Sequence, residues 1–425
     1  MSAFDKIIGY QREKEELFRL CDALKYPEKY EALGIRLPAG ILLYGAPGLG
    51  KTLFAKVLIE ESNLPFFPCY KDRSDGDFVA SITETFAKAA ESAPSIVFLD
   101  DMDKFAEDNL QKDSNKEEFS TIQTCMENVR GKRVFVLATA NDIDNLPESL
   151  MRAGRLGRQL KFSAPTQEDA IEIIRHYLQG KPISKKLSPE TLAEILPGES
   201  CATLEEIINE AGLLAGYENA VEIGRVHLIR AILKIVYQIV PKNFPTASAA
   251  QIHASYHEAG HAVVALSFGR KVGIICAHNG SNIGGICSHR DIPELTFQDL
   301  LDRATIALAG KAAIALQFGE ADNGCRKDID QTIDLLRPAM TRNCAIGFEY
   351  GYDREYYDRR HAPVRIERIS EKLYQTIEAC YQNAMRILEQ NRDLMEAIAN
   401  ALQTKDALLS DDIEQLLLHH PIKKT

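Results

Sequence analysis

The sequence predicts a parallel α/β module with a helical lid, followed by a mainly α-helical second half. Three observations carry that expectation. Short apolar runs alternate with helix-period segments up to about residue 160. From Pro165 to about residue 240 the pattern is helical. One Gly-rich, β-like stretch, 272–288, interrupts the second helical region.

The individual elements follow from the same patterns. Residues 41–44, 95–99 and 133–138 are short runs that are apolar apart from Ser95 and Arg133 at their starts, as expected for strands buried on both faces. Helices are expected over 167–178, 189–196, 204–217 and 223–240. Residues 241–250, with two prolines and several small side chains, read as a linker. A helix is expected over 254–268, and a last long one near 365–403, with apolar positions at Ile366, Ile369, Leu373 and Ile377. The expected division is therefore 1–164, 165–240, a linker 241–250, and 251–425.

Composition narrows the function. At roughly 150 residues per domain, 425 residues allow two or three domains. Fifty basic against 61 acidic residues give a net charge of −11, a poor match to a phosphate backbone, so no nucleic-acid partner is expected. Nine cysteines without a C-x-x-C pair read as reduced thiols, pointing to the cytoplasm. No apolar run approaches the ~18 residues that a spanning helix needs. The longest, 231–240 and 305–318, are interrupted by Lys234 and Lys311. The charged N-terminus has no signal-peptide core.

The first chemical motif is Gly45-Ala46-Pro47-Gly48-Leu49-Gly50-Lys51-Thr52, which fits G-x-x-x-x-G-K-[ST] between a strand and a helix. In such a loop backbone N–H groups wrap phosphates, the lysine reaches the β/γ-phosphates and the threonine ligates Mg²⁺. Its partner is the apolar run 95–99 ending in Asp100 and Asp101. Asp100 is the expected Mg²⁺ carboxylate, and Asp101 the group that polarises the attacking water. Asp101 stands where ATPases of this kind usually carry Glu, and its side chain is one methylene shorter. Asn141, after the next apolar run, is placed to sense the γ-phosphate. The run Arg152, Arg155, Arg158 offers guanidinium groups of the kind that complete a neighbouring subunit's site, which implies a ring.

The second motif is His257-Glu258-Ala259-Gly260-His261, or H-E-x-x-H. On a helix the two histidines project from one face, one turn apart, as two zinc ligands, and Glu258 is the expected general base. The extended metzincin pattern fails, because Val264 and Ser267 stand where Gly and His are required. Spacing leaves His278, His289, Glu320, Asp322 and Asp328 open as the third ligand.

A P-loop, an arginine run, a helical lid and then H-E-x-x-H resemble the FtsH family of AAA+ zinc metalloproteases, and the likeness covers nearly the whole chain. The resemblance implies an AAA+ module with its lid, and then a zinc metallopeptidase domain. It implies that Ile8 and Gly9 pack the adenine, that Arg155 and Arg158 are the fingers, and that Asp328, in 324–332, is the third zinc ligand. The stretch 283–287 falls where the family has a strand edge beside the zinc, to which an extended substrate could add. The implied cofactors are one Zn²⁺ per subunit and ATP with Mg²⁺. The implied activity is ATP-dependent cleavage of unfolded or tagged proteins by a homo-oligomeric ring, a hexamer. Three departures stand out. Family members usually begin with membrane-spanning segments, Asp101 replaces Glu, and the segment between Phe67 and Phe86 is short. Phe78 is there the candidate for the substrate-gripping aromatic. The rival expectation is an AAA+ remodelling or scaffold protein with slow ATP turnover and weak peptidase activity.

Overall fold

The computed structural model describes residues 2–70, 78–105, 114–184, 187–239, 248–277, 285–289, 296–319, 324–348 and 362–424. Its helices and strands fall into two compact units, Met1–Lys181 with Gly198–Asn209, and Pro182–Pro197 with Glu210–Thr425.

The first unit opens with helices α1 (Gln11–Lys25) and α2 (Pro27–Glu31). Strand β1 (Gly40–Tyr44) then runs through the glycine loop into α3 (Lys51–Ser62). There follow β2 (Phe66–Cys69), α4 (Phe78–Glu91), β3 (Ser95–Leu99), α5 (Ser114–Asn128), β4 (Val134–Ala140), β5 (Arg158–Lys161) and α6 (Gln167–Leu178). The five strands form one parallel sheet in the order β2-β3-β4-β1-β5. The three expected strands are its interior strands β1, β3 and β4, where apolar runs are buried on both faces. The two strands that the apolar pattern does not mark, β2 and β5, are the edges. Strand β2 carries Pro68 and exposes Phe66, and β5 starts in the arginine run. Leu42, Val97 and Val136 of the sheet pack with Ile82, Phe86, Phe119 and Ile122 of α4 and α5. Helix α6 matches its expected bounds. It begins at a capping box in which Thr166 Oγ1 accepts from the Asp169 N–H while the Asp169 carboxylate accepts from the Thr166 N–H.

Helix α7 (Pro189–Ile195) lies in the second unit and α8 (Cys201–Tyr217) runs from residues of the first into residues of the second. The second unit continues with α9 (Arg225–Ile235), α10 (Ala249–Ser267), β6 (Val272–Cys276), β7 (Ile286–His289), α11 (Phe297–Phe318), α12 (Arg326–Thr341), α13 (Ala362–Gln390), α14 (Arg392–Leu402), β8 (Leu408–Leu409) and α15 (Ser410–His419). Helix α10 starts five residues before the expected 254, because Ser248 accepts from the Gln251 N–H and caps it there. The β-like stretch becomes β6 and β7 of an antiparallel sheet in the order β7-β6-β8. The long helix expected over 365–403 is two helices. Asn391 breaks it by turning its side chain to the Ile387 carbonyl and to the Lys423 N–H, which ties the C-terminal tail to the bend. The core of this unit joins Val263 and Val264 of α10 to Ala309 and Ala313 of α11 and to Met395 and Ile398 of α14.

Among the described residues no helix is long and apolar enough to cross a membrane. Leu42 is fully buried at the centre of the parallel sheet. Leu42→Ala is expected to destabilise the first unit by about 2–5 kcal/mol, read as an earlier urea midpoint.

Candidate nucleotide pocket and metal centre

In a parallel sheet ordered β3-β4-β1, the C-terminal ends of three neighbouring strands carry Asp100, Asn141 and Gly45 to one place. Gly45 sits at φ 146°, where an added Cβ would lie 2.1 Å from the Phe162 carbonyl oxygen. Gly48, at φ 77°, passes so close to the chain that a Cβ would meet Ser200 Oγ at 2.7 Å. Gly50 caps α3, Leu49 is buried behind the loop, and Pro47 is exposed on its outer side. Lys51 is only 6% exposed, and its ammonium donates to the carbonyls of Gly45 (2.7 Å) and Ala46 (2.8 Å) and to Asn141 Oδ1 (2.9 Å). Burial pulls its pKa down from the usual lysine value, and the charges of Asp101, Asp103 and Asp100 oppose that pull.

The acidic end of β3 is tightly tied. Asp100 Oδ1 accepts from Thr139 Oγ1 (2.6 Å) and Thr52 Oγ1 (3.2 Å), so the two expected Mg²⁺ groups, Thr52 and Asp100, are neighbours. Asp101 has a left-handed backbone (φ 52°), donates its N–H to Thr139 Oγ1, and pairs with Lys104 at 2.6 Å. Asp103, 7% exposed, accepts from both the backbone and the side-chain amide of Asn141. Sequence patterning does not single out Asp103, Lys104 or Thr139, whose roles depend on strand order.

Gly9 has φ 69°, and the next residue, Tyr10, donates its N–H to Asp169 and its hydroxyl to the Ser163 carbonyl. The Tyr10 ring packs against Phe54 and Phe162, and burial pushes its hydroxyl far above the ordinary tyrosine range. Ile8 is half-buried beside it. Arg155 is engaged by Gln123, the Ser149 carbonyl and Glu127, and Arg158 by Glu16, all on the same chain. Phe78, the candidate substrate-gripping aromatic, is half-buried at the start of α4. Its ring packs edge-on against Phe105 (4.9 Å between centroids) at the border of the sheet core.

In the second unit His257, Glu258 and His261 lie on α10, and Asp328 lies in the first turn of α12. His257 Nε2 is 3.1 Å from His261 Nε2 and 3.2 Å from Asp328 Oδ2, and His261 Nε2 is 3.8 Å from that same oxygen. Corners of a tetrahedron with bonds of about 2.0–2.1 Å lie about 3.3 Å apart, so the three atoms are spaced as ligands of one tetrahedral ion. His261 Nδ1 donates its proton in a hydrogen bond to the Ile306 carbonyl at 2.7 Å, which leaves Nε2 with its lone pair toward the cluster. Two imidazoles and a carboxylate are a donor set suited to Zn²⁺.

Of the five candidates for the third ligand, Asp328 is the one the described residues bring to the histidines. His278, Glu320 and Asp322 lie outside those residues, as does the His289 side chain. Burial, and secondarily the nearby Glu258 charge, push the thiol of Cys276 up to about 12 and that of Cys287 up as well.

Two glycines shape the centre, Gly285 within the expected strand edge 283–287 and Gly310, which no sequence pattern marks. A Cβ on Gly310 of α11 would lie 2.5 Å from the His257 ring, and one on Gly285, just before β7, 2.4 Å from Glu258 Cγ. Glu258 is 5% exposed. Of the expected strand edge 283–287, residues 283 and 284 lie outside the described chain, while Gly285 lies directly on Glu258.

Comparison with known families covers both halves of the chain. Residues 41–164 match the ATPase family associated with various cellular activities (AAA), and residues 246–416 match peptidase family M41. The class is therefore an AAA module joined in one chain to an M41 peptidase module. The chain is 31% identical over 445 residues to the ATP-dependent zinc metalloprotease FtsH 1 of Thermomicrobium roseum, covering 97% of this chain and 68% of that protein. It is 30% identical over 436 residues to the ATP-dependent zinc metalloprotease FtsH of Aster yellows witches'-broom phytoplasma, covering 97% and 64%. The chain belongs to the FtsH family of ATP-dependent zinc metalloproteases. It spans about two thirds of the length of the relatives it matches.

Asp328→Ala is expected to weaken Zn²⁺ binding more than a hundredfold, and Gly310→Ala, which displaces the His257 ring, by about ten- to a hundredfold. Competition with a fluorescent zinc chelator measures both.

Proposed function

We propose that the chain is an ATP-dependent zinc endopeptidase that unfolds, translocates and cleaves protein substrates as a homo-oligomeric ring, a hexamer. The observation that carries this reading is the convergence of His257, His261 and Asp328 beside a buried Glu258, in a chain that also carries a complete P-loop. In this reading residues 1–164 bind the nucleotide, 165–240 form the lid, 241–250 link, and 251–425 are the peptidase. Nine free thiols support a cytoplasmic setting.

His257, His261 and Asp328 hold one Zn²⁺ per subunit, which when bound supplies Lewis acidity toward a peptide carbonyl and a water. Glu258 takes the proton of the attacking water and returns it to the leaving amine. Burial beneath the Gly285 backbone fixes the Glu258 carboxylate and limits its access to bulk water. The strand beside it offers backbone groups to an extended substrate, a mode largely indifferent to side chains.

On the other side of the chemistry, the backbone of 45–50 cradles the phosphates of ATP, and Lys51 exchanges its loop carbonyls for β/γ-oxygens. Thr52 and Asp100 hold Mg²⁺. Asp101 polarises the attacking water and Asn141 faces the γ-phosphate. Ile8 and Gly9 border the adenine, while Arg155 and Arg158 leave their present partners to reach a neighbouring copy's nucleotide.

The assay is digestion of an unfolded protein with ATP, with and without chelator, by wild type and Glu258→Gln. Cleavage is expected to vanish in Glu258→Gln and with chelator while ATP turnover persists. Cleavage that survives Glu258→Gln contradicts the assignment. The Lys104 pair on Asp101 is an exposed one, worth up to about 1 kcal/mol. Releasing it in Lys104→Met is therefore expected to raise ATP turnover by up to about fivefold.

A further inference from the structure

Asn141 is the group at the end of β4 that faces the phosphate loop, and an asparagine amide can turn either its oxygen or its nitrogen to a ligand. Which end faces the loop decides its chemistry. A nitrogen donates to a γ-phosphate oxygen, whereas an oxygen accepts from a water and aims that water's lone pair elsewhere. The surroundings of Asn141 make the choice. Asp103 is 7% exposed and follows β3 in a short 3-10 turn, Met102–Phe105. One of its carboxylate oxygens accepts from the Asn141 backbone N–H at 3.1 Å, and the other from Asn141 Nδ2 at 2.9 Å. A carboxylate only accepts, so the Nδ2 end must turn to Asp103 and the Oδ1 end away from it. Oδ1 meets the Lys51 ammonium at 2.9 Å, and an ammonium only donates. Both neighbours therefore demand the same amide orientation.

We infer that Asp103 is a positioning residue for ATP hydrolysis: it clamps Asn141 so that its oxygen faces the phosphates, making Asn141 an acceptor for the attacking water, not a donor to the γ-phosphate. The inference rests on the ATPase reading above. When Lys51 turns to the β/γ-phosphates, Oδ1 loses the ammonium and becomes the open acceptor at the place where Asp101 also acts. Two acceptors of different origin then share one water. This arrangement compensates for an Asp101 side chain that is short and held back by Lys104 at 2.6 Å. The phosphates themselves are gripped by the loop backbone and Lys51, so Asp103 acts on turnover and not on nucleotide binding.

The test is a swap across the pair. Asp103→Asn keeps the shape but leaves one acceptor for two donors; the Asn141 backbone N–H, which cannot turn, claims it, so the new NH2 faces the Asn141 side chain, whose amide turns over and aims its nitrogen at Lys51. Asp103→Asn with Asn141→Asp restores an acceptor at position 141, which receives from the amide introduced at position 103. Steady-state ATP turnover is expected to show kcat falling about ten- to a hundredfold in Asp103→Asn, with KM for ATP and affinity for a fluorescent ATP analogue within about threefold. The double variant is expected to regain at least about tenfold of the lost kcat.

The nucleotide-free protein gives a reading independent of activity. Two donors facing each other at Lys51 lower the melting temperature of Asp103→Asn by about 2–4 °C, and the double variant recovers it. Turnover in Asp103→Asn within twofold of wild type overturns the inference, as does a double variant no faster than the single one. An Asp103→Asn variant that no longer binds the ATP analogue also overturns the inference, which confines Asp103 to turnover. Wild-type protein that binds but does not hydrolyse ATP overturns the ATPase reading and the clamp together, whereas wild-type turnover that Asp103→Asn leaves intact overturns the clamp alone.

Discussion

The peptidase unit depends on how closely α10 and α11 approach each other. A Cβ on Gly260 would lie 2.5 Å from the Ala309 carbonyl oxygen, and one on Gly310 at the same distance from the His257 ring. Without side chains at those two points the helices meet nearly backbone to backbone. That contact brings the Ile306 carbonyl within 2.7 Å of His261 Nδ1 and so fixes the imidazole that must face the metal. Three donors drawn to within 3.1–3.8 Å of one another are unfavourable neighbours without a cation. The packing of Val263, Val264, Ala309, Ala313 and Met395 holds them there.

The ATPase unit solves a similar problem with strand order in place of glycine contact. Parallel pairing of β3 with β4 and β4 with β1 puts three strand ends side by side, so residues 45, 100 and 141 meet without any long-range loop. The polar groups gathered there are mutually satisfied. Lys51 and Asn141 face each other, Asp103 holds Asn141, and Thr139 bridges Asp100 and Asp101. A buried polar network of this kind rigidifies a site when each member is paired.

What the sequence made legible follows from burial. Interior strands β1, β3 and β4 carry apolar runs that declare themselves, while the edge strands β2 and β5 mix Pro68, Arg158 and Lys161 with apolar positions and do not. The helix break at Asn391 depends on a bond to Lys423, 32 residues away, which no local pattern encodes. H-E-x-x-H was legible because both histidines and the glutamate come from one helical turn. Asp328, separated from them by about 70 residues, could be chosen only through the family resemblance. Gly310 and Asp103, and the contact of Gly285 with Glu258, became visible only with tertiary structure, since a glycine's or an aspartate's role there is defined by what lies across from it.

The identity of the metal and of its donors is what the peptidase centre depends on most directly. X-ray absorption at the zinc edge of the purified chain measures both at once. The expected result is zinc bound by nitrogen and oxygen alone at about 2.0–2.1 Å, with the outer-shell signature of two imidazoles. A sulfur shell at about 2.3 Å, or a preparation competent in ATP hydrolysis and peptide cleavage that contains no zinc, would contradict it.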